Sequence, residues 1–245
     1  MRTLKLTMAY DGTNYVGWQR QARGTSIQQL VEAAFAPLVG GDPPGVAGAG
    51  RTDAGVHASA QVASVNVDID LAPAVVQRAL NARLPFDIRV LTVEEAPLGF
   101  HARFHARGKA YRYRLLPASV PSPFTRPFVW HVPGVRDVAA MRRAAGWLVG
   151  THDFASFQGR GASVLDTVRT IERMTLSERE GELVVEIEGD GFLRHMVRTI
   201  VGTLVDVGSG LRAPHTMGEV IEACDRRAAG PTAPARGLTL VSVRY

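Results

Sequence analysis

The chain has one cysteine, Cys224, in 245 residues. A lone thiol rules out an intrachain disulfide and any paired-cysteine metal knuckle, and fits a reducing, cytoplasmic setting. Long apolar runs are missing as well. No stretch approaches the ~18 residues of a membrane span, and the opening MRTLKLTMAYDG alternates apolar and polar residues like a strand instead of carrying the apolar run of a signal peptide. A soluble, cytosolic protein is expected. The third absence is local: from Ala96 to Arg136 there is no Asp or Glu.

What is present begins with core: 46% of the residues are hydrophobic and the formal charge is +5. The length predicts one to two domains, and the elements run in two similar passes. In the first, residues 2–10 alternate as a strand. SIQQLVEAAFAPLV carries Ile27, Leu30, Val31 and Ala34 at helical spacing behind Ser26. QVASVNVDI reads as a strand, APAVVQRALNARL as a helix opened by Pro73, and DIRVLTVEEA as a strand. In the second pass KAYRYRLL reads as a strand and DVAAMRRAAGWLVG as a helix. TVRTIERMTLS and ELVVEIEG form a hairpin. FLRHMVRTIVGTLVDV reads as an apolar helix, followed by a short helix near 216–224 and the strand LTLVSVRY. The fold class is therefore α+β, divided into residues 1–105 and 106–245.

The acid-free stretch holds Arg103, Arg107, Lys109, Arg112, Arg114, Arg126 and Arg136 among Phe100, Phe104, Tyr111, Tyr113, Phe124, Phe128 and Trp130. A solvated basic face is the ordinary reading of such a run. Basic residues interleaved with rings also suit looped RNA, which needs its phosphates neutralised and flat partners for unstacked bases. Tyr111 and Tyr113 share one strand face, with Arg112 and Arg114 on the other. His101 and His105 stand four apart, as in some zinc sites, but Arg103 and Arg107 flank them and no third ligand is near, so no metal is expected. In the apolar helix, Arg194 and Arg198 are predicted to share a face as i,i+4 neighbours, a like-charge cost that an anion would relieve.

The densest motif is GAGRTDAGVHA, Gly48 to Ala58, with Asp53 two residues from Arg51. Asp53 could be a helix N-cap. A phosphate cradle lacks the lysine and hydroxyl of a Walker loop, and a dinucleotide fingerprint lacks the third glycine at its spacing. A nucleophilic or basic carboxylate, held ionised by a neighbouring arginine, is the fourth reading. The residues alone leave these open.

GRTDAGVHA, with YDGTNYVGWQRQ at Tyr10–Gln21, KAYRYRL at Lys109–Leu115, GFLRHMVRTIVGTL at Gly191–Leu204 and APARGLTLVSVRY at Ala233–Tyr245, closely resembles the tRNA pseudouridine synthase A family over nearly the whole chain. The resemblance implies two α/β subdomains sharing a mainly antiparallel sheet with the active cleft between them, and a homodimer. It also implies a cofactor-free isomerase acting on uridines 38, 39 and 40 of the tRNA anticodon arm after flipping the base. Carried over by position, Asp53 is the catalytic carboxylate and Arg51 serves base flipping. Tyr111 packs on the target uracil, and Arg198 pairs with Asp53. A non-catalytic RNA-binding protein is the alternative.

Overall fold

The computed structural model describes residues 1–161 and 166–245. In chain order the elements are β1 (Arg2–Tyr10), α1 (Ile27–Val39), β2 (Val46–Gly48), β3 (His57–Val67), α2 (Pro73–Asn81), β4 (Ile88–Ala96), β5 (Gly108–Leu116), β6 (Trp130–His131) and α3 (Val138–Gly146). They continue with β7 (Gly150–Asp153), β8 (Val168–Arg179), β9 (Glu182–Gly189), α4 (Met196–Gly208), α5 (Thr216–Glu222) and β10 (Leu238–Arg244). The class is α+β. These elements form two compact units, Met1–Arg107 with Thr239–Tyr245, and Gly108–Leu238.

In the first unit the strand order is β4, β1, β3, β10, with β2 beside β3. β1 lies antiparallel to β3, with Leu4 opposite Val65 and Leu6 opposite Ala63, and antiparallel to β4. The alternation of β1 sends Leu4, Leu6, Met8 and Tyr10 inward, as a strand with one buried face requires. Ser26 opens α1 by accepting a hydrogen bond from the Gln29 amide, and Ile27, Val31, Ala34 and Phe35 are the apolar stripe it buries; satisfying one orphan amide at a helix start is worth about 1 kcal/mol. The last strand was expected in the second half. It instead returns to the first unit, because β10 runs parallel to β3, Thr239 opposite His57 and Leu240 opposite Ala58.

In the second unit the order is β5, β9, β8, β7, all antiparallel, with the short β6 parallel to β5. The arrangement puts Tyr111, Tyr113 and Leu115 on the buried face of β5. α4 is buried along its length except at Arg198 and Asp206, and Asp206 is paired with Arg212 at 3.3 Å. Among the described residues no helix is long and apolar enough to cross a membrane.

Candidate active site

The loop holding Asp53 begins where β2 ends and runs directly into β3, so Asp53 precedes a strand and caps no helix. That removes the N-cap reading. Asp53 is half-buried and Arg51 exposed. The Val56 amide donates to the Asp53 carbonyl at 3.1 Å, closing a tight turn, and Gly55 within it has φ +76°.

A second segment, residues 10–18, braces this loop. The Trp18 amide donates to the Thr52 carbonyl at 3.1 Å, and the Gly55 amide to the Tyr15 carbonyl at 3.3 Å. The contact is close enough to explain two glycines. A Cβ on Gly17, whose φ is +101°, would stand 2.4 Å from the Thr52 oxygen, and one on Gly12 would stand 2.0 Å from the Val56 oxygen. Neither position admits a side chain without moving main chain. Nδ1 of the buried His57 lies 3.0 Å from the Gly12 amide and 3.0 Å from the Asp11 carboxylate, joining the start of β3 to the same segment.

Beneath the loop lies a buried polar chain. Tyr10 Oη and Thr52 Oγ1 are 2.9 Å apart, and Gln61 Nε2 donates to the Gly50 carbonyl at 2.9 Å and to Tyr10 Oη at 3.4 Å. Burial drives the Tyr10 phenol up to about 12, against the partial opposition of its bonds to Thr52 and Gln61. The phenol is a fixed neutral hydrogen-bonding group rather than an acid. Tyr10, Thr52 and Gln61 therefore tie Gly50 and Thr52, the residues either side of Arg51, to the sheet. Sequence reasoning passed over all three. The available signal was a polar residue, Gln61, at an inward position of a strand, which a buried polar group occupies only when it is hydrogen-bonded.

In the second unit, Tyr111 is 8% exposed and meets Phe192 edge to face, with ring centroids 5.2 Å apart. Tyr113 is fully buried, donates to the Pro234 carbonyl at 2.6 Å and sits edge-on to Trp130. Burial raises its phenol above the ordinary value, while the charges of Arg198 and Arg236 pull it back down. Arg198 on α4 thus bears electrostatically on the strand that carries Tyr111. Its Nε donates to the Ala233 carbonyl at 2.7 Å, and the Ala233 amide returns a bond to the Arg198 carbonyl at 3.0 Å. The guanidinium is thereby oriented by backbone.

The expected Arg194 and Arg198 pair on one helix face does not form. α4 begins only at Met196, because His195 adopts a left-handed conformation with φ +62°. Arg194 lies outside the helix, exposed, and donates to the carbonyls of Arg160 at 2.9 Å and Gly161 at 3.4 Å.

The basic run also divides. Arg112 donates to Glu186 at 2.7 Å, and Arg114 grips Glu182 with two bonds of 2.6 and 2.7 Å. Arg112 and Glu186 are direct cross-strand partners on β5 and β9. Two of the seven basic residues are therefore committed to carboxylates, as the ordinary reading predicts. Arg103, Arg107, Arg126 and Arg136 are exposed. His101 and His105 lie in a turn rather than a helix; Nδ1 of His105 accepts from the His101 amide at 2.9 Å, and Nδ1 of His101 accepts from the Arg103 amide at 3.1 Å. Their Nδ1 atoms serve the turn.

Comparison with known proteins agrees across the whole chain. A family model described as tRNA pseudouridine synthase matches residues 6–105 and 144–245. Proteins named tRNA pseudouridine synthase A from Geobacter sulfurreducens and Syntrophotalea carbinolica are each 45% identical over 245 residues, covering all of this chain and 100% and 97% of theirs. One from Acetivibrio thermocellus is 44% identical over 246 residues, covering both chains in full. Among solved structures, a Cbf5-Nop10-Gar1 complex aligns at a TM-score of 0.40 and 12% identity, over 97% of this chain and 48% of that one.

Proposed function

Because the chain belongs to the tRNA pseudouridine synthase family, we propose that it converts uridine to pseudouridine at positions 38, 39 and 40 of the tRNA anticodon arm, with Asp53 as the reacting carboxylate. In that conversion the N1–C1′ bond breaks, the uracil turns, C5 joins C1′, and the proton lost from C5 is balanced by one gained at N1. Product and substrate are isomers, so no electron acceptor or transferred group has to be supplied.

The observation that carries the assignment to Asp53 is the bracing of its loop. A turn that caps no helix, with main chain crossing it at van der Waals limits and Tyr10, Thr52 and Gln61 beneath, is rigid in the way that a reacting group requires, which supports this role for Asp53. A stem uridine has to leave its stack before its ring can be reached, at a cost of a few kcal/mol. Exposed Arg51, two residues from Asp53, occupies the space the base vacates or holds the phosphate. Tyr111 offers its ring to the flipped uracil, and Arg198, oriented by the Ala233 carbonyl, supplies a cation to the reaction. The protein works as a homodimer in the cytoplasm; sedimentation of the purified chain tests the dimer.

The deciding experiment is a pseudouridine map of an unmodified tRNA transcript incubated with the protein. Modification at 38–40 is expected. Modification confined to other positions, or none, overturns the site choice or the activity respectively. A binding module without chemistry would retain tRNA and leave every uridine unchanged.

A further inference from the structure

The segment 97–107 and Tyr245 enclose a surface hollow of about 530 Å³, lined in part by Leu98, Phe100, Phe104, His105, Arg107 and Tyr245. Its floor is anchored. Phe100 stacks on His105 with centroids 5.7 Å apart and leans on Tyr245 at 5.1 Å. The Tyr245 hydroxyl donates to the Ala102 carbonyl at 2.8 Å, and the Ala102 amide donates to the buried Ser64 hydroxyl at 3.0 Å. Phe104 at its edge is 75% exposed. The His101 ring lies 4.3 Å from the Phe104 ring, and the Arg103 guanidinium sits 5.9 Å from its centroid.

This is a ring held open to solvent beside cations. Exposed apolar surface of this kind marks an interaction site. No acidic residue lies between positions 96 and 136, and the nearest in sequence, Glu94 and Glu95, are paired with Lys5 and Arg2. The hollow therefore combines a flat aromatic partner with the exposed charges of Arg103 and Arg107, the two features that bind an unpaired nucleotide without reading its sequence. Its volume is of the order that small ligands fill. Self-association through this face would bring like charges together, so a second copy of the chain is the poorer occupant.

We propose that the hollow is an RNA subsite separate from the reacting uridine, taking one unpaired nucleotide of the tRNA with its base against Phe104 and its phosphate against Arg103 or Arg107. The proposal rests on the tRNA reading above and specifies where a second part of that substrate is held.

The test uses the full chain and an unmodified tRNA transcript. Phe104→Ala should weaken tRNA affinity about tenfold, the size of one base-on-ring contact, while Phe104→Trp should retain it and the melting temperature should stay within a degree or two for this exposed site. A transcript carrying 5-iodouridine at unpaired positions should photocrosslink to residues 97–107. Affinity of Phe104→Ala within twofold of the parent would overturn the proposal. So would a loss of self-association in Phe104→Ala with tRNA binding intact, which would give the hollow to a second copy. Pseudouridine formation by the parent is measured alongside: if the parent forms none yet binding still depends on Phe104, the catalytic reading fails and the subsite stands.

Discussion

The hydroxyl of Tyr10 lies 2.9 Å from that of Thr52, so the end of β1 is tied to the residue immediately before Asp53. Both residues are buried, at 4% and 6% exposure. Tyr10→Phe removes the shared bond and leaves a buried hydroxyl on Thr52 short of a partner, a loss of about 1–2 kcal/mol. The expected fall in melting temperature is roughly 2–8 °C for a chain of this size. If the loop carries the reacting carboxylate as proposed, the single-turnover rate should fall by more than tRNA affinity does. The same variant should also change the alkaline limb of stability. The phenol titrates at 10.0 when unfolded and at about 12 when folded, so the folded state holds the extra proton between those values. Its contribution is complete below about pH 10 and is lost as pH rises toward about 12. Buried Tyr113 and partly buried Tyr245 act in the same direction, so the parent should lose melting temperature steeply in that window and Tyr10→Phe less steeply. Identical slopes would show that Tyr10 is solvated there.

Gly17 is the point where the bracing segment can be broken by one methyl group. Alanine there must adopt a φ near +101° and place its Cβ 2.4 Å from the Thr52 oxygen. The conformation alone costs about 1–2 kcal/mol, and relieving the overlap moves the loop. Gly17→Ala should be destabilised and should lose most of its turnover. A variant with parent-like rate and melting temperature would mean the two segments are not coupled.

The division of the basic run makes a prediction for salt dependence. Arg103 and Arg107 are exposed, whereas Arg112 and Arg114 are held by Glu186 and Glu182. Neutralising a residue that contacts phosphate lowers the salt slope of tRNA binding by about one unit. Arg107→Gln should do so. Arg112→Gln should leave the slope unchanged and cost at most about 1 kcal/mol of stability, the scale of a partly exposed ion pair. A lowered slope in Arg112→Gln would return that side chain to the RNA surface.

These arginines also show how far the sequence could be read. Alternation along β5 correctly separates the tyrosine face from the arginine face, because a period of two is set by local backbone alone. Which arginine meets a carboxylate depends on the register of β5 against β9, a non-local pairing that no window of sequence contains. Helix α4 illustrates a second limit. Phe192 to His195 continue an apolar helical pattern, yet His195 takes a left-handed turn, and no proline or capping residue announces it. The buried chain of Tyr10, Thr52 and Gln61 joins three segments distant in sequence. Its members looked like ordinary strand and loop residues until the fold brought them together. The RTD motif, by contrast, was recognisable as a short contiguous pattern.

Tyr111 is more deeply set than a simple surface platform would be. Replacing its 8%-exposed ring with alanine would empty a core position, costing about 3–5 kcal/mol, so Tyr111→Ala confounds folding with function. Tyr111→Phe keeps the ring and its edge contact with Phe192. It should fold and bind tRNA like the parent. Normal turnover in Tyr111→Phe would assign the residue to ring packing, and a large loss of rate with binding intact would assign the hydroxyl to a proton transfer. Weak binding with normal turnover would contradict both roles.

Asp53→Asn carries the sharpest consequence. Asparagine preserves the size of the side chain and much of its hydrogen bonding but removes the negative charge and the basicity. No helix begins at this loop, so the substitution forfeits no helix cap, and the variant should fold. Turnover should vanish, because an amide at neutral pH can neither act as an anionic nucleophile nor accept a proton usefully. tRNA affinity should be close to the parent or slightly tighter, since one negative charge facing a polyanion has been removed. Arg198→Ala provides the complement. Its guanidinium is oriented by the Ala233 carbonyl, so the variant should lose a little stability and much of the rate. Combining it with Asp53→Asn should slow the reaction no further than Asp53→Asn alone. The measurement is single-turnover pseudouridine formation, with tRNA affinity and melting temperature on the same preparations. If Asp53→Asn turned over normally, the carboxylate mechanism would be excluded, and the bracing by Tyr10, Thr52 and Gln61 would have to serve Arg51 instead.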